Sequence, residues 1–328
     1  MNEIEVFHNL QNNPYIREKD CGNNIHSFNF TREAFWGNHW DEQTITARGL
    51  FVDTRDGNVY ARSYNKFFNM DERPETQYSY LKENLTYPVD IFRKENGYLG
   101  ILSVHDGDIK FFSKSTNGGP YAENFDDIVT YDMDISYCFY EYLDAHNCSA
   151  VFEVIDVEND RHFVQYEYNH VILLDIIKNQ YEFEALPYEE MKDIAEKCNV
   201  PYKAKIGTIE NEEEFDTKIA ELEHVPYIEG YVFVDQDNYM FKLKTCWYRF
   251  WKAIRSRGQY VYKHLGLYSY LDVPSHRDLD RVRELHPIAD EALNYYAFAR
   301  DAGLECPHVM DVMDFMEQTS LQDLSVVV

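Results

Sequence analysis

Apolar and polar positions set the first expectations. From Thr44 to Asp53 they alternate as in a strand with one buried face, and after a turn at Asp56-Gly57 the alternation resumes over Val59–Tyr64, predicting a hairpin. Pro74 to Asn84 is acidic with a helical period. An apolar run, Val89–Phe92, leads through Arg93-Lys94-Glu95-Asn96-Gly97 into a meander, Tyr98–Val104 and Asp108–Ser113, turning at Asp106-Gly107. Ala122–His146 reads as helix. Ala150–Ile155 is an apolar strand interrupted by one carboxylate, and Val171–Ile177 is almost wholly apolar, as expected of a strand central in a sheet. Tyr188–Asn199 and Glu212–Glu223 read as surface helices. Tyr227–Val234 and Tyr239–Lys244 are strands again, the second with Lys242 and Lys244 on one face. Beyond Thr245 the period turns helical through Phe315, with breaks near Gly258, Pro274 and Pro307. The pattern predicts an α+β chain. Residues 1–245 form a domain of antiparallel sheets flanked by helices, and residues 246–328 a small all-helical C-terminal domain.

Composition narrows the classes. The 328 residues suffice for a large domain and a smaller one, and no apolar run is long enough to span a bilayer, so no membrane association is expected. The N-terminus is polar and acidic, unlike a secretory signal. Six cysteines form no C-x-x-C pair, so neither a zinc site nor a disulfide framework is expected, and a reducing cytoplasm is the plain reading. A net charge of −27 argues against a protein that coats nucleic acid generally.

The charge is uneven, however. Between Lys242 and Lys263 stand seven basic residues and no acidic one, interleaved with Trp247, Tyr248, Phe250, Trp251, Tyr260 and Tyr262. Two readings stay open for this stripe. Arg249, Lys252, Arg255 and Arg257 could meet an RNA backbone while the aromatics stack on bases. Alternatively, a helix packs its aromatics inward and leaves its charges in water.

Candidate chemistry centres on Lys94-Glu95-Asn96-Gly97. A lysine fixed at the end of a strand, followed by a glycine that lets the backbone turn tightly, can hold an amine against a nucleotide phosphate. Lys-x-x-Gly alone arises by chance, and Lys263-His264-Leu265-Gly266 is a second match in a helical segment. Order distinguishes the first. Lys-x-x-Gly is followed by Phe152-Glu153, then Glu229-Gly230-Tyr231-Val232, then Lys242-Leu243-Lys244, each on its own predicted strand. Nucleotidyl transfer needs such a set: a nucleophilic amine, carboxylates for ribose and metal, and cations for the triphosphate.

With Ala47-Arg48-Gly49, Lys66-Phe67-Phe68-Asn69, Ser113-Lys114 and Trp247-Tyr248, these stretches resemble the covalent nucleotidyltransferase superfamily, most closely the T-even bacteriophage RNA ligase 1 family. The resemblance spans about residues 40–250. It implies a nucleotidyltransferase (ATP-grasp-like ligase) domain. It also implies an ATP-dependent RNA ligase that joins RNA 5′-phosphate and 3′-hydroxyl ends through a lysyl-AMP intermediate, with Mg²⁺ or Mn²⁺. On this analogy Lys94 is the nucleophile, Glu153 holds the ribose, Glu229 helps hold the metal, and Lys242 and Lys244 neutralise the α-phosphate. Arg48, Lys66 and Lys114 contact phosphates or the RNA end, while Glu95 and Gly97 line the pocket. Expected partners are RNA ends, such as those of a cleaved tRNA, met by a monomer in the cytoplasm (a host cytoplasm if the source is viral). The short helical tail departs from the family and puts its tRNA-repair specificity in doubt; no appended β-barrel follows, which speaks against DNA ligases and capping enzymes. A catalytically inactive RNA-end-binding protein of the same fold and a GTP-using capping-type transferase are the competing readings.

Overall fold

The structure, a computed structural model, describes residues 3–264 and 288–319. The chain divides into two compact units. The first comprises Met1–Phe68, Asn96–Arg161 and Tyr166–Lys205, and the second Asn69–Glu95, His162–Gln165 and Ile206–Val328.

The first unit holds two antiparallel four-stranded sheets. One runs in the order β1 (Ile16–Asp20), β2 (Ile25–Phe30), β3 (Leu50–Asp53), β4 (Val59–Arg62). The other is ordered β10 (His170–Lys178), β9 (Cys148–Ile155), β7 (Tyr98–His105), β8 (Asp108–Ser113). Period-2 alternation assigns the faces. Leu50 and Val52 of β3 pack with Phe7 and Leu10 of helix α1 (Glu3–Asn12), whereas Phe51 points the other way into a cluster with Ile101 and Phe112 of the second sheet. The far face of that second sheet buries Leu102, Phe152, Val154 and Leu173 against α5 (Pro120–Asp127), α6 (Ser136–His146) and α7 (Tyr188–Lys197).

Four expectations need correction here. The start of the predicted Thr44–Asp53 strand is instead a helix turn, α3 (Glu42–Thr46). It forms because the Asp41 carboxylate accepts from the Thr44 amide at 2.7 Å while the Thr44 hydroxyl accepts from the Asp41 amide at 2.8 Å, a reciprocal cap. The predicted helix Ala122–His146 is broken by a π-turn, Ile128–Asp132, between α5 and α6. The apolar strand Val171–Ile177 lies at a sheet margin rather than its centre. It is apolar because both its faces are covered, and its outer edge is met by the 201–203 segment, where the Leu173 amide donates to the Pro201 carbonyl at 2.7 Å. Finally, Cys138 of α6 and Cys198 beyond α7 are joined by a disulfide. These helices cover the same sheet face and bring the two Cα atoms to 5.5 Å, which a sequence separation of 60 does not announce.

The second unit is built on a five-stranded sheet, ordered β11 (Lys205–Ile209), β6 (Val89–Lys94), β12 (Gly230–Val234), β13 (Met240–Lys244), β5 (Phe68–Asn69). Val89, Ile91, Tyr231, Phe233, Phe241 and Leu243 form one apolar face, packed with Leu81 of α4 (Tyr78–Asn84) and with Phe215 and Ile219 of α8 (Glu212–Glu223). Alternation therefore sends Lys94, Gly230, Lys242 and Lys244 to the opposite face. Helix α9 (Cys246–His264) follows β13, and α10 (Ile288–Asp301) packs on it so closely that a Cβ on Gly258 would stand 2.1 Å from the Tyr296 ring. The last described helix is α11 (Val309–Thr319). No helix among the described residues is long and apolar enough to cross a membrane.

Candidate active site

Strand register assembles the reactive cluster of the second unit. Gly230 pairs with Lys94 on one side and with Lys244 on the other, so the two lysines flank the start of β12. Glycine is needed there. A Cβ at position 230 would lie 2.0 Å from the Leu243 carbonyl oxygen, and its φ of +152° suits few other residues. Glu229, one residue earlier, is 4 % exposed and lies between the lysines: Oε2 is 3.0 Å from Lys94 Nζ and Oε1 is 2.8 Å from Lys244 Nζ. Burial works to raise the Glu229 pKa, but the two ammonium groups outweigh it and hold the carboxyl at about 2.

The neighbourhood of this cluster is set by Thr245, to which the sequence assigned no role in the site, and by Tyr248 and Lys252 of the basic stripe. Buried Thr245 accepts from the Tyr248 amide at 3.1 Å, beginning α9, and donates from its hydroxyl to the Ile228 carbonyl at 2.9 Å, tying the helix start to the segment bearing Glu229. Its signal was legible: a threonine standing just before a helical period. Tyr248 lies under Lys244, whose Nζ is 4.6 Å from the ring centroid, and against Phe163 at 4.9 Å. One turn on, Lys252 reaches Lys244. Burial of its head and the charge of Lys244 lower its pKa, with Glu229 opposing, although the residue as a whole is exposed.

The other predicted residues fall as follows. Lys94 Nζ also donates to the Glu95 carbonyl at 3.1 Å, and the Glu95 carboxylate pairs with Arg93 at 3.3 Å. Lys242 is half-buried on β13, and its carbonyl accepts from the Met70 amide. On α9, Arg249 pairs with Glu223, Arg255 lies 4.9 Å over the Phe163 ring, and Arg257 is half-buried. Trp247, Tyr248, Phe250 and Trp251 are all buried, so these four rings pack inward and offer no face to a base. Lys263 of the second Lys-x-x-Gly match is exposed on the same helix, and its Gly266 lies outside the described residues.

A second set lies in the first unit. Gly97 donates its amide to Glu153 Oε1 at 2.8 Å, and a Cβ there would meet the Val154 carbonyl oxygen at 2.1 Å. The preceding Asn96 amide donates to the Tyr166 hydroxyl at 2.9 Å. Burial lowers the Arg48 pKa while Glu153 and Tyr64 act to raise it, and its Nη1 donates to Ser63 Oγ at 3.4 Å. Lys114 Nζ stands 4.9 Å over the Phe30 ring; burial of that end, with Arg48 and Arg17 nearby, brings its pKa down to about 8. Lys66 Nζ lies 3.6 Å from the Phe68 ring centroid and donates to the Phe67 carbonyl at 2.9 Å.

Among the described residues, no group of three or more His, Cys, Asp or Glu side chains could hold a metal unaided. Glu229, the residue expected to help hold a divalent cation, is buried and ionised, and each of its oxygens faces an ammonium group.

The fold is that of an ATP-dependent polynucleotide ligase. An archaeal ATP-dependent RNA ligase matches it with a TM-score of 0.58 at 14 % identity, over 96 % of this chain and 85 % of that one. A family model described as RNA ligase, of the T4 RNA ligase 1 type, matches residues 46–248, and the chain belongs to that family. A Thermovibrio ammonificans protein named "Putative RNA ligase" is 24 % identical over 236 residues, 70 % of this chain and 56 % of its own length. The Candida albicans tRNA ligase is 29 % identical over 157 residues, 45 % of this chain and 18 % of its own length. The chain therefore spans little more than half of the first relative and under a fifth of the second.

Proposed function

We propose that the protein is an ATP-dependent RNA ligase that seals 5′-phosphate and 3′-hydroxyl ends through a lysyl-AMP intermediate. The observation that carries this reading is the shared carboxylate: Lys94 and Lys244 held by Glu229 at 3.0 and 2.8 Å, at the ends of strands that ordered motifs had marked. The Lys94 ammonium leaves its ion pair, gives up its proton to solvent and, as the neutral amine, attacks the α-phosphorus of ATP. A P–N bond forms, the α–β bridging P–O bond breaks, and pyrophosphate leaves. Lys244, with Lys242 and Lys252, opposes the negative charge that builds on the phosphoryl oxygens. A divalent cation held partly by Glu229, once Lys94 has left it, would supply charge neutralisation at the phosphates. An RNA 5′-phosphate then takes the AMP, and a 3′-hydroxyl displaces it.

Glu153 and Arg48 serve the nucleoside and its phosphates, Lys66 and Lys114 the phosphates or the RNA end, and the described helices beyond Thr245 serve RNA through Arg255 and Arg257. Membership of the family and the names of the relatives support RNA ends as substrate. Cleaved tRNA as the natural substrate, a monomeric state and a cytoplasmic site of action belong to the same proposal. Incubation with α-labelled ATP or GTP and Mg²⁺, followed by denaturation, tests it. Label from ATP should remain on the chain and vanish in Lys94→Ala. Label from GTP alone, label persisting in that variant, or none at all would overturn it.

A further inference from the structure

Aromatic rings of the N-terminal segment that precedes the family-matched residues also meet cations carried by those residues. Helix α2 (Arg32–Trp36) presents Phe35 and Trp36, 40 % and 81 % exposed. The segment is well anchored. Thr31 Oγ1 accepts from the Ala34 amide at 3.1 Å, Ala34 is fully buried, and His39 stacks on Tyr15 at 4.0 Å. Trp36 is thus held out into solvent by an ordered turn. Ring contacts continue from it: Trp36 to Phe35 at 5.1 Å, Phe35 to Trp40 at 6.2 Å, and Trp40 to Phe30 and Phe68 at 5.0 and 5.1 Å.

Cations ride on this ladder. Lys66 lies 3.6 Å from the Phe68 centroid and 5.3 Å from that of Trp40, Lys114 lies 4.9 Å from Phe30, and exposed Arg17 is near enough to repel the charge of Lys114. A ring attracts an ammonium without cancelling its charge. Lys66 and Lys114 lie against the buried and half-buried rings of a ladder that ends in the exposed Phe35 and Trp36, and with Arg17, in a chain of net charge −27, they complement an anionic partner that also has flat apolar faces. Single-stranded nucleic acid has both features, and proteins bind it with this pairing of a cationic track and stacking rings. An acidic peptide would satisfy the cations but would leave Trp36 without a planar partner.

We infer that the Phe35–Trp36–Trp40 ladder, with Lys66, Lys114 and Arg17, docks the single-stranded RNA near the end being joined, bases stacking on Trp36 and Phe35. That the strand is RNA rests on the ligase reading above. The probe is a short, fluorescent, 5′-phosphorylated single-stranded RNA, titrated into Lys94→Ala protein so that no chemistry follows binding. Adding Trp36→Ala, at a solvent-exposed position, should weaken binding about tenfold or more while leaving the salt slope in place, because stacking releases no counterions. Arg17→Ala should instead lower that slope by about one. Unchanged affinity in both variants would overturn the inference. Labelling of Lys94 by ATP in the unmutated protein is measured separately. Label with RNA affinity indifferent to Trp36 leaves the ligase reading standing and removes this surface. Absence of label with a tenfold loss in Trp36→Ala keeps the surface and removes the ligase reading. A concentration-dependent dimer that dissolves in Trp36→Ala, with RNA affinity unchanged, would make the patch a self-association face and overturn the proposal.

Discussion

Lysines are held in two different ways in the two units. Around Glu229, Lys94 and Lys244 share one buried carboxylate at hydrogen-bonding distance, which fixes each nitrogen and cancels part of the charge. Lys66 and Lys114 instead lie against the aromatic faces of Phe68 and Phe30, which attract an ammonium group without neutralising it. The first arrangement suits a reacting centre, where a misplacement of an ångström is costly. The second suits the attraction and holding of phosphates. Strand register builds the one, and an anchored turn with its neighbouring rings builds the other.

The sharpest way to break this comparison is to remove one lysine from each arrangement. Lys244→Ala should slow lysyl-AMP formation by roughly 10²–10³, the usual cost of losing one stabiliser of developing charge. Lys66→Ala should slow that step less and the sealing of RNA ends more. Rapid-quench measurement of both steps in one preparation decides it, and a larger adenylylation defect in Lys66→Ala would reverse the assignment.

A smaller effect should appear in acid unfolding. The folded-state pKa of Glu229, about 2, lies below its ordinary 4.5, so its ionised form stabilises the fold fully above about pH 4.5 and loses that contribution as pH falls toward 2. Glu229→Gln leaves Lys94 and Lys244 facing a neutral amide. It should lower the thermal midpoint near neutral pH and flatten the acid limb of a midpoint-against-pH curve. An unchanged limb would mean that the pairs contribute nothing to stability.

The smallest expected effect is at Lys114. With its pKa brought down to about 8, its head is charged below that pH and neutral above it. Binding of the short RNA should therefore weaken modestly as pH rises through 8, and Lys114→Arg, which stays charged, should remove that step. Fluorescence titration at pH 7 and pH 9 would show whether the ring-held cation matters to the strand.

Much of this was legible in the chain. Period-2 alternation over Tyr239–Lys244 put both lysines on one face, where they stand, because a side chain's direction in a strand depends only on its position. The Lys-x-x-Gly spacing marked Gly97 as a backbone turn, and there, as at Gly230, a Cβ has no room. Local pattern reached no further than that. It read Thr44–Thr46 as strand because the Asp41–Thr44 cap, two side-chain bonds that outweigh alternation, lay just upstream of the window. It left the α9 stripe undecided, since a basic helix with aromatics looks alike whether its rings face a base or a neighbouring helix. Residues far apart in sequence resolved that, with Phe163 against Tyr248 and Tyr296 against Gly258. Residue order alone determined which side chains are candidates for the chemistry and on which strand faces they stand. Which carboxylate the lysines share, which cysteines join, and which aromatics stay in water were decided by tertiary packing, because burial and pairing depend on partners that only the folded chain brings within reach.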